Sequence, residues 1–217
     1  MRLKPELKNM KYTFILFLSL ITFIGLFSLS KGSHSMQTSS TVQDKRPTEN
    51  PYAILAGGCF WCIESEFRAL DGVIFTESGY IGGETDNPTY RDITTGKSGH
   101  AEAIRVYYNP EKISYRELLD FFFRKAHDPT QLNRQGVDVG TQYRSAVFYE
   151  TEEQKKETQA AIDAAEADKV WKKKIVTTLE PATKFYRAEE YHQQYYEKYE
   201  DANGRPHIRV LFKKQNK

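Results

Sequence analysis

From residue 52 onward the chain switches between two hydrophobic periods, and each switch falls at a turn signal. YAILA (52–56) is a short apolar run stopped by Gly57-Gly58, as a buried strand would be. Phe60, Ile63, Phe67 and Leu70 then recur at spacings of three and four, which predicts a helix. VIFTESGY (73–80) alternates into Gly82-Gly83, and the polar stretch GETDNPTYRDITTGKSGH fills 83–100 as a loop. Ile104, Val106 and Tyr108 alternate with Arg105 and Tyr107, predicting a half-exposed strand that Asn109-Pro110 ends. Ser114 and Glu117 have capping-box spacing and open a helix whose apolar set runs from Leu118 through Phe123, with Pro129 closing the segment. After a second loop, SAVFY (145–149) reads as a strand, and Thr151 with Gln154 caps a charged helix to about Asp168. IVTTL (175–179) reads as a further strand and Ala188 to Tyr199 as a Tyr-rich helix. Over 52–149 the order is β-α-β-β-α-β. The expected fold class is therefore α+β: a ferredoxin-like split βαβ two-layer sandwich, its antiparallel sheet carrying the helices on one face, with loop and C-terminal helix extensions.

The first 50 residues follow neither period. Residues 12–29 (YTFILFLSLITFIGLFSL) carry no charge and follow the basic MRLKPELKNMK, the layout of a secretory signal. The run is long for such a signal and just long enough to span a bilayer. Ser28 and Ser30 are spaced for cleavage after Ser30, and no cysteine follows to accept a lipid. Residues 1–30 are read as a signal peptide or a membrane anchor, the choice left open. Residues 31–50 have almost no apolar side chain and read as a flexible linker, so the folded domain runs over 51–217. The expected location is outside the cytoplasm, in the periplasm or cell envelope, with membrane contact only through residues 12–29.

Composition narrows the function classes. Hydrophobic residues make up 39% and aromatic residues 13%, an ordinary globular balance. Lys and Arg number 31 against 29 Asp and Glu. Residues 1–35 hold five of those basic groups against Glu6, so the remainder is slightly acidic and has no electrostatic footprint for nucleic acid. There are only two cysteines, Cys59 and Cys62, which excludes a disulfide-stapled miniprotein and a zinc ribbon on four thiolates.

Those cysteines sit where the first strand ends and the first helix begins, in GGCFWC. A helix N-terminus offers unpaired N–H groups and partial positive charge, both of which favour a thiolate. At spacing i, i+3 the two sulfurs share a helical face, close enough for a disulfide to be feasible. The alternative is a structural pair, but so short a loop gives a disulfide little stabilising effect. Redox chemistry is the favoured reading.

GCFWCIE, GYIGGETDNPTYRDITTGKSGHAEAIRVYYNP, GVDVGTQYRSAVFY and AEEYHQQYY, in this order over 52–200, resemble the peptide methionine sulfoxide reductase A family, in its GCFWC subtype. The resemblance implies reduction of the S-epimer of methionine sulfoxide, protein-bound or free, without a cofactor or metal. Cys59 matches the nucleophile, which becomes a sulfenic acid as methionine leaves. Phe60 and Trp61 match the pocket for the S-methyl group, and Glu102 the acid that protonates the sulfoxide oxygen. Tyr90 and Tyr143 match hydroxyl donors to that oxygen, and Asp138 an acid that orients the site. His192 matches a family position to which no chemistry is assigned. Two departures stand out: Val139 replaces the His of HGTQYR, and the tail EDANGRPHIRVLFKKQNK lacks the resolving cysteines many members carry. Intramolecular resolution would therefore fall to Cys62. The implied partners are oxidised proteins or peptides and a thioredoxin-like reductant, with the enzyme a monomer.

Two rival readings stay in view. A general thioredoxin-like thiol-disulfide oxidoreductase also sets CxxC at a helix start, though Phe-Trp between the cysteines is unusual for it. A metal-binding module would need Cys59, Cys62 and two of His100, His127, His192 and His207, which show no ligand spacing.

Overall fold

The computed structural model describes residues 46–205. The expected export segment and nearly all of the linker lie outside the described residues. Among those described, no helix is long and apolar enough to cross a membrane.

The strands are β1 (Tyr52–Gly57), β2 (Val73–Ile81), β3 (Ala101–Tyr108), β4 (Arg134–Gln135), β5 (Asp138–Val139), β6 (Ser145–Tyr149), β7 (Thr178–Pro181) and β8 (Tyr186–Arg187). The helices are α1 (Phe60–Arg68), α2 (Tyr90–Thr94), α3 (Tyr115–Phe121), α4 (Glu152–Ala167) and α5 (Tyr195–Asn203). Six strands make one sheet in the order β7-β6-β1-β3-β2-β8. Its centre, β6-β1-β3-β2, is antiparallel throughout, the arrangement expected of a split βαβ unit. β8 extends it antiparallel to β2, and β7 runs parallel to β6. β4 and β5 form a separate two-residue hairpin.

Strand alternation sorts the core. Ala53, Leu55, Ile104, Val106 and Val147 join Ile63 and Phe67 of α1, Leu118 and Leu119 of α3 and Ala161 of α4 in the larger cluster. Ile54, Ala56, Ala103, Ala146 and Phe148 form a smaller one with Phe185 packed against it. The predicted half-exposed strand at 104–108 is thus corrected: β3 is buried almost throughout. Arg105 is accommodated because its guanidinium lies 4.4 Å from the Phe185 ring centroid and 4.9 Å from that of Tyr52, and pairs with Glu77 at 3.2 Å.

Ser114 and Glu117 complete the predicted capping box: Ser114 Oγ accepts from Glu117 N, and Glu117 Oε2 accepts from Ser114 N at 2.8 Å. At α4 only half the box forms. Thr151 accepts from Gln154 N, but Gln154 Oε1 accepts from Glu150 N at 2.8 Å. Beyond α3 a five-residue π-turn, Phe122–Ala126, buries Phe122 and Phe123 and delivers His127 to the sheet.

Three local expectations change. The loop at 83–100 contains α2, opened by a capping box between Thr89 and Asp92. The strand expected at 175–179 lies at β7, three residues on. The helix expected over Ala188–Tyr199 is interrupted: a short 3₁₀ turn, Glu190–His192, precedes extended Gln193 and left-handed Gln194 (φ 51°), and α5 starts only at Tyr195. Buried bonds make the break, since Gln193 accepts from Ser78 N (2.9 Å) and donates to Ser78 O and Ala188 O. Gln194 N donates to buried Glu64 at 2.8 Å.

Candidate active site

The turn from β1 into α1 admits no side chain at its two glycines. Gly58 has φ +99°, and a Cβ there would stand 2.6 Å from the Gln135 side chain. One at Gly57 would meet Ile63 at 2.8 Å and His127 at 2.9 Å. His127 is locked in place, one ring nitrogen 3.0 Å from Phe122 O and the other 2.7 Å from Ser145 Oγ. Burial holds it neutral, down to about 4. Cys59 emerges from this turn as the N-cap of α1, and its carbonyl accepts from Cys62 N at 3.1 Å.

Cys59 and Cys62 are both free thiols, each partly exposed. Their charge is arranged differently from the simple helix-terminus expectation. The Cys62 N–H does favour a charged Cys59 sulfur, but the side-chain hydrogen bond to Cys62, burial and the nearby charges of Cys62 and Glu102 push Cys59 up. Cys62 is brought down to about 7 by that same hydrogen bond, against burial, with further help from the Tyr196 hydroxyl 3.2 Å from its sulfur.

Glu102 stands opposite Tyr80 in the β2–β3 register and is 2% exposed. Burial pushes it up to about 8, against a 3.1 Å hydrogen bond from Phe60 N, and the charges of Asp138 and Cys62 add to the rise. At neutral pH it is a carboxylic acid beside the first turn of α1. Tyr90 opens α2, and Tyr143 closes a 3₁₀ turn, Thr141–Tyr143, after the β4–β5 hairpin that carries Asp138. Burial and then the charge of Glu102 push Tyr90 up to about 12 and raise Tyr143 as well, so both remain O–H donors. The fields of Asp138 and Cys59 reach both tyrosines, and burial raises Asp138.

An aromatic wall completes the site. The Phe60 ring stacks on Tyr90 (6.5 Å, 17°) and touches His192 at 5.0 Å. Trp61 lies flat on Tyr195 (3.9 Å, 10°), and its indole N–H donates to His192 Nδ1 at 3.0 Å. The site positions singled out from the sequence therefore gather in one place. His192, singled out from the sequence with no chemistry assigned, is buried and fixes Trp61, whereas sequence reasoning missed Glu189, which accepts from Tyr90 N at 2.9 Å and from the Tyr80 hydroxyl at 2.8 Å. It also missed Tyr195 and Tyr196. The i, i+3, i+4 spacing of His192, Tyr195 and Tyr196 was the available signal. Among the described residues no group of three His, Cys, Asp or Glu side chains could hold a metal ion. His100 receives Gly83 N and contacts Thr85 O, and His207 lies outside the described residues.

Comparison with known proteins agrees with this geometry. Residues 51–217 match the family described as peptide methionine sulfoxide reductase. The peptide methionine sulfoxide reductase MsrA of Erwinia tasmaniensis is 55% identical over 145 residues, 67% of this chain and 80% of that one. That of Deinococcus radiodurans is 52% identical over 163 residues, 75% and 79% of the two chains. Among solved structures, reduced Mxr1 from Saccharomyces cerevisiae superposes with a TM-score of 0.65 at 39% identity, covering 75% of this chain and 90% of that one. Methionine sulfoxide reductase A of Corynebacterium diphtheriae does so with 0.61 at 35% identity, covering 71% and 76%. With a matching fold, a family match over 51–217 and 55% and 52% identity to the two MsrA relatives, the chain belongs to the peptide methionine sulfoxide reductase A family, oxidoreductases acting on methionine S-oxide.

Proposed function

We propose that this protein reduces the S-epimer of methionine sulfoxide, free and in polypeptides, through a Cys59 sulfenic acid and a Cys59–Cys62 disulfide. The observation that carries the reading is a buried carboxylic acid, Glu102, set beside the turn that presents Cys59. The Phe60 and Trp61 rings supply an apolar seat for the S-methyl group, while the Tyr90 and Tyr143 hydroxyls and Glu102 point hydrogen-bond donors at the sulfoxide oxygen. Cys59 sulfur attacks the sulfoxide sulfur, Glu102 protonates the oxygen, and the oxygen passes to Cys59 as methionine departs. Cys59 attacks as the thiolate, the charged form that the hydrogen bond from the Cys62 N–H favours. Protonated Glu102 also removes one of the charges that hold Cys59 up. Cys62 sulfur then attacks the sulfenic acid: an S–S bond forms, the S–O bond breaks, and the oxygen leaves as water. A thioredoxin-like dithiol reduces the resulting disulfide by exchange.

The protein acts outside the cytoplasm, on oxidised exported proteins. This rests on the uncharged run 12–29 behind the basic MRLKPELKNMK.

The test is a single-turnover assay on both epimers. Methionine is expected from the S-epimer alone, and Cys59→Ser should release none. Equal rates on both epimers would refute the assignment. A Cys62→Ser variant should still give one burst of methionine yet lose thioredoxin-dependent turnover; full turnover would refute the role of Cys62. For location, a reporter active only after export, fused behind residues 1–50, should be active, and cytoplasmic retention would refute that part.

A further inference from the structure

α5 lies along α1 so that consecutive residues of one helix meet consecutive residues of the other. Tyr195 covers Trp61, and Tyr196 reaches Cys62. The left-handed Gln194, tied to Glu64 of α1, sets this register. Tyr196 is 5% exposed, and its hydroxyl is 3.2 Å from the Cys62 sulfur. Two side chains thus hydrogen-bond the Cys62 sulfur in the reduced protein: the Cys59 thiol and the Tyr196 hydroxyl.

Resting on the function proposed above, we infer that Tyr196 is a positioning residue for the second half-reaction, its hydroxyl holding Cys62 aimed and charged for attack on the Cys59 sulfenic acid. Once Cys59 carries oxygen its S–H is gone, and of these two partners the Tyr196 hydroxyl remains to donate to a charged Cys62 sulfur. The step itself balances internally. Cys62 sulfur is oxidised to the disulfide level, the sulfenic sulfur is reduced to it, and the leaving oxygen takes the proton the Cys62 thiol gave up and departs as water. The ionisable groups around Cys62 are Cys59, Glu66 on its own helix, Glu102 of β3, Asp138 of β5 and Tyr196 of α5. The three carboxyl groups oppose a charge there when ionised, which leaves Tyr196 as the supporting group once Cys59 is oxidised.

The experiment separates the two steps by rapid quenching after one equivalent of methionine sulfoxide, across the neutral pH range. Methionine release reports the first step, and loss of two hydrogens by mass spectrometry reports the disulfide. In Tyr196→Phe, methionine release should keep its rate. Disulfide formation should slow about tenfold near neutrality, its midpoint moving up by about one pH unit, and recover at alkaline pH. An unchanged midpoint, or equal slowing of both steps, overturns the inference. A second readout does not need turnover: alkylation of Cys62 in the Cys59→Ser background, with and without Tyr196→Phe. Its midpoint should rise by about one unit, and an unchanged midpoint overturns the inference. Failure of the functional reading itself would look different, with no methionine released by either protein.

Discussion

Glu102 shows how burial turns an ordinary carboxylate into a neutral-pH acid. Its ordinary value of 4.5 becomes about 8 in the fold. The reductive step should therefore proceed below about pH 8 and fall as pH rises through that value, and Glu102→Gln should slow it about a hundredfold or more and abolish that limb. Single-turnover rates against pH check both. Stability carries the same signature. The folded state holds this proton more tightly than the unfolded chain, so Glu102 stabilises fully below 4.5 and progressively less as pH rises to 8. Above that, Glu102→Gln should unfold at higher urea than wild type, by up to a few kcal/mol; an equal or lower midpoint would show that the buried charge costs nothing. As sequence, Glu102 is an outward position in a predicted half-exposed strand. Only the GHAE resemblance marked it, because its acidity depends on what covers β3.

Element by element, the local signals held where the partners were local. Ser114 capping is written in four consecutive residues, and Ser114→Ala should cost about 1 kcal/mol in urea titration without touching activity. The segment 188–196 behaves otherwise. Its helical spacing is overruled by Gln193, whose amide bridges both backbone groups of Ser78, more than a hundred residues away. Gln193→Ala should cost about 2 to 4 kcal/mol by leaving those buried groups unpaired. It should also raise KM, since His192 and Tyr195 then lose their hold on Trp61, while the pH limb set by Glu102 stays in place. A KM equal to wild type would place the latch outside substrate binding. α2 was hidden for a related reason: five residues bounded by polar loop have too little apolar content to show a period.

For the molecule as a whole, one sheet carries the catalytic turn on a core that spans both its faces. Leu55, fully buried two residues before Gly57, belongs to the larger cluster. Leu55→Ala should cost about 2 to 5 kcal/mol, read as a lower midpoint of a single urea transition; a loss confined to activity would contradict a shared core. The β-α-β-β-α-β order of the central unit, the position of the thiols at a strand–helix turn and the family resemblance were legible in the chain, because each depends on periods and spacings among near neighbours. Burial of β3 on both faces was not. It requires Phe185, about eighty residues further on, to fold back over Arg105. The surroundings of the two thiols were decided the same way, by the Tyr196 hydroxyl beside Cys62 and the buried Glu102 beside Cys59 arriving from distant elements. Near neighbours in sequence set which elements form and where the sulfur lies; the protonation states and the aromatic wall around it were left to the tertiary structure, because burial and electrostatic fields depend on neighbours that only folding brings within reach.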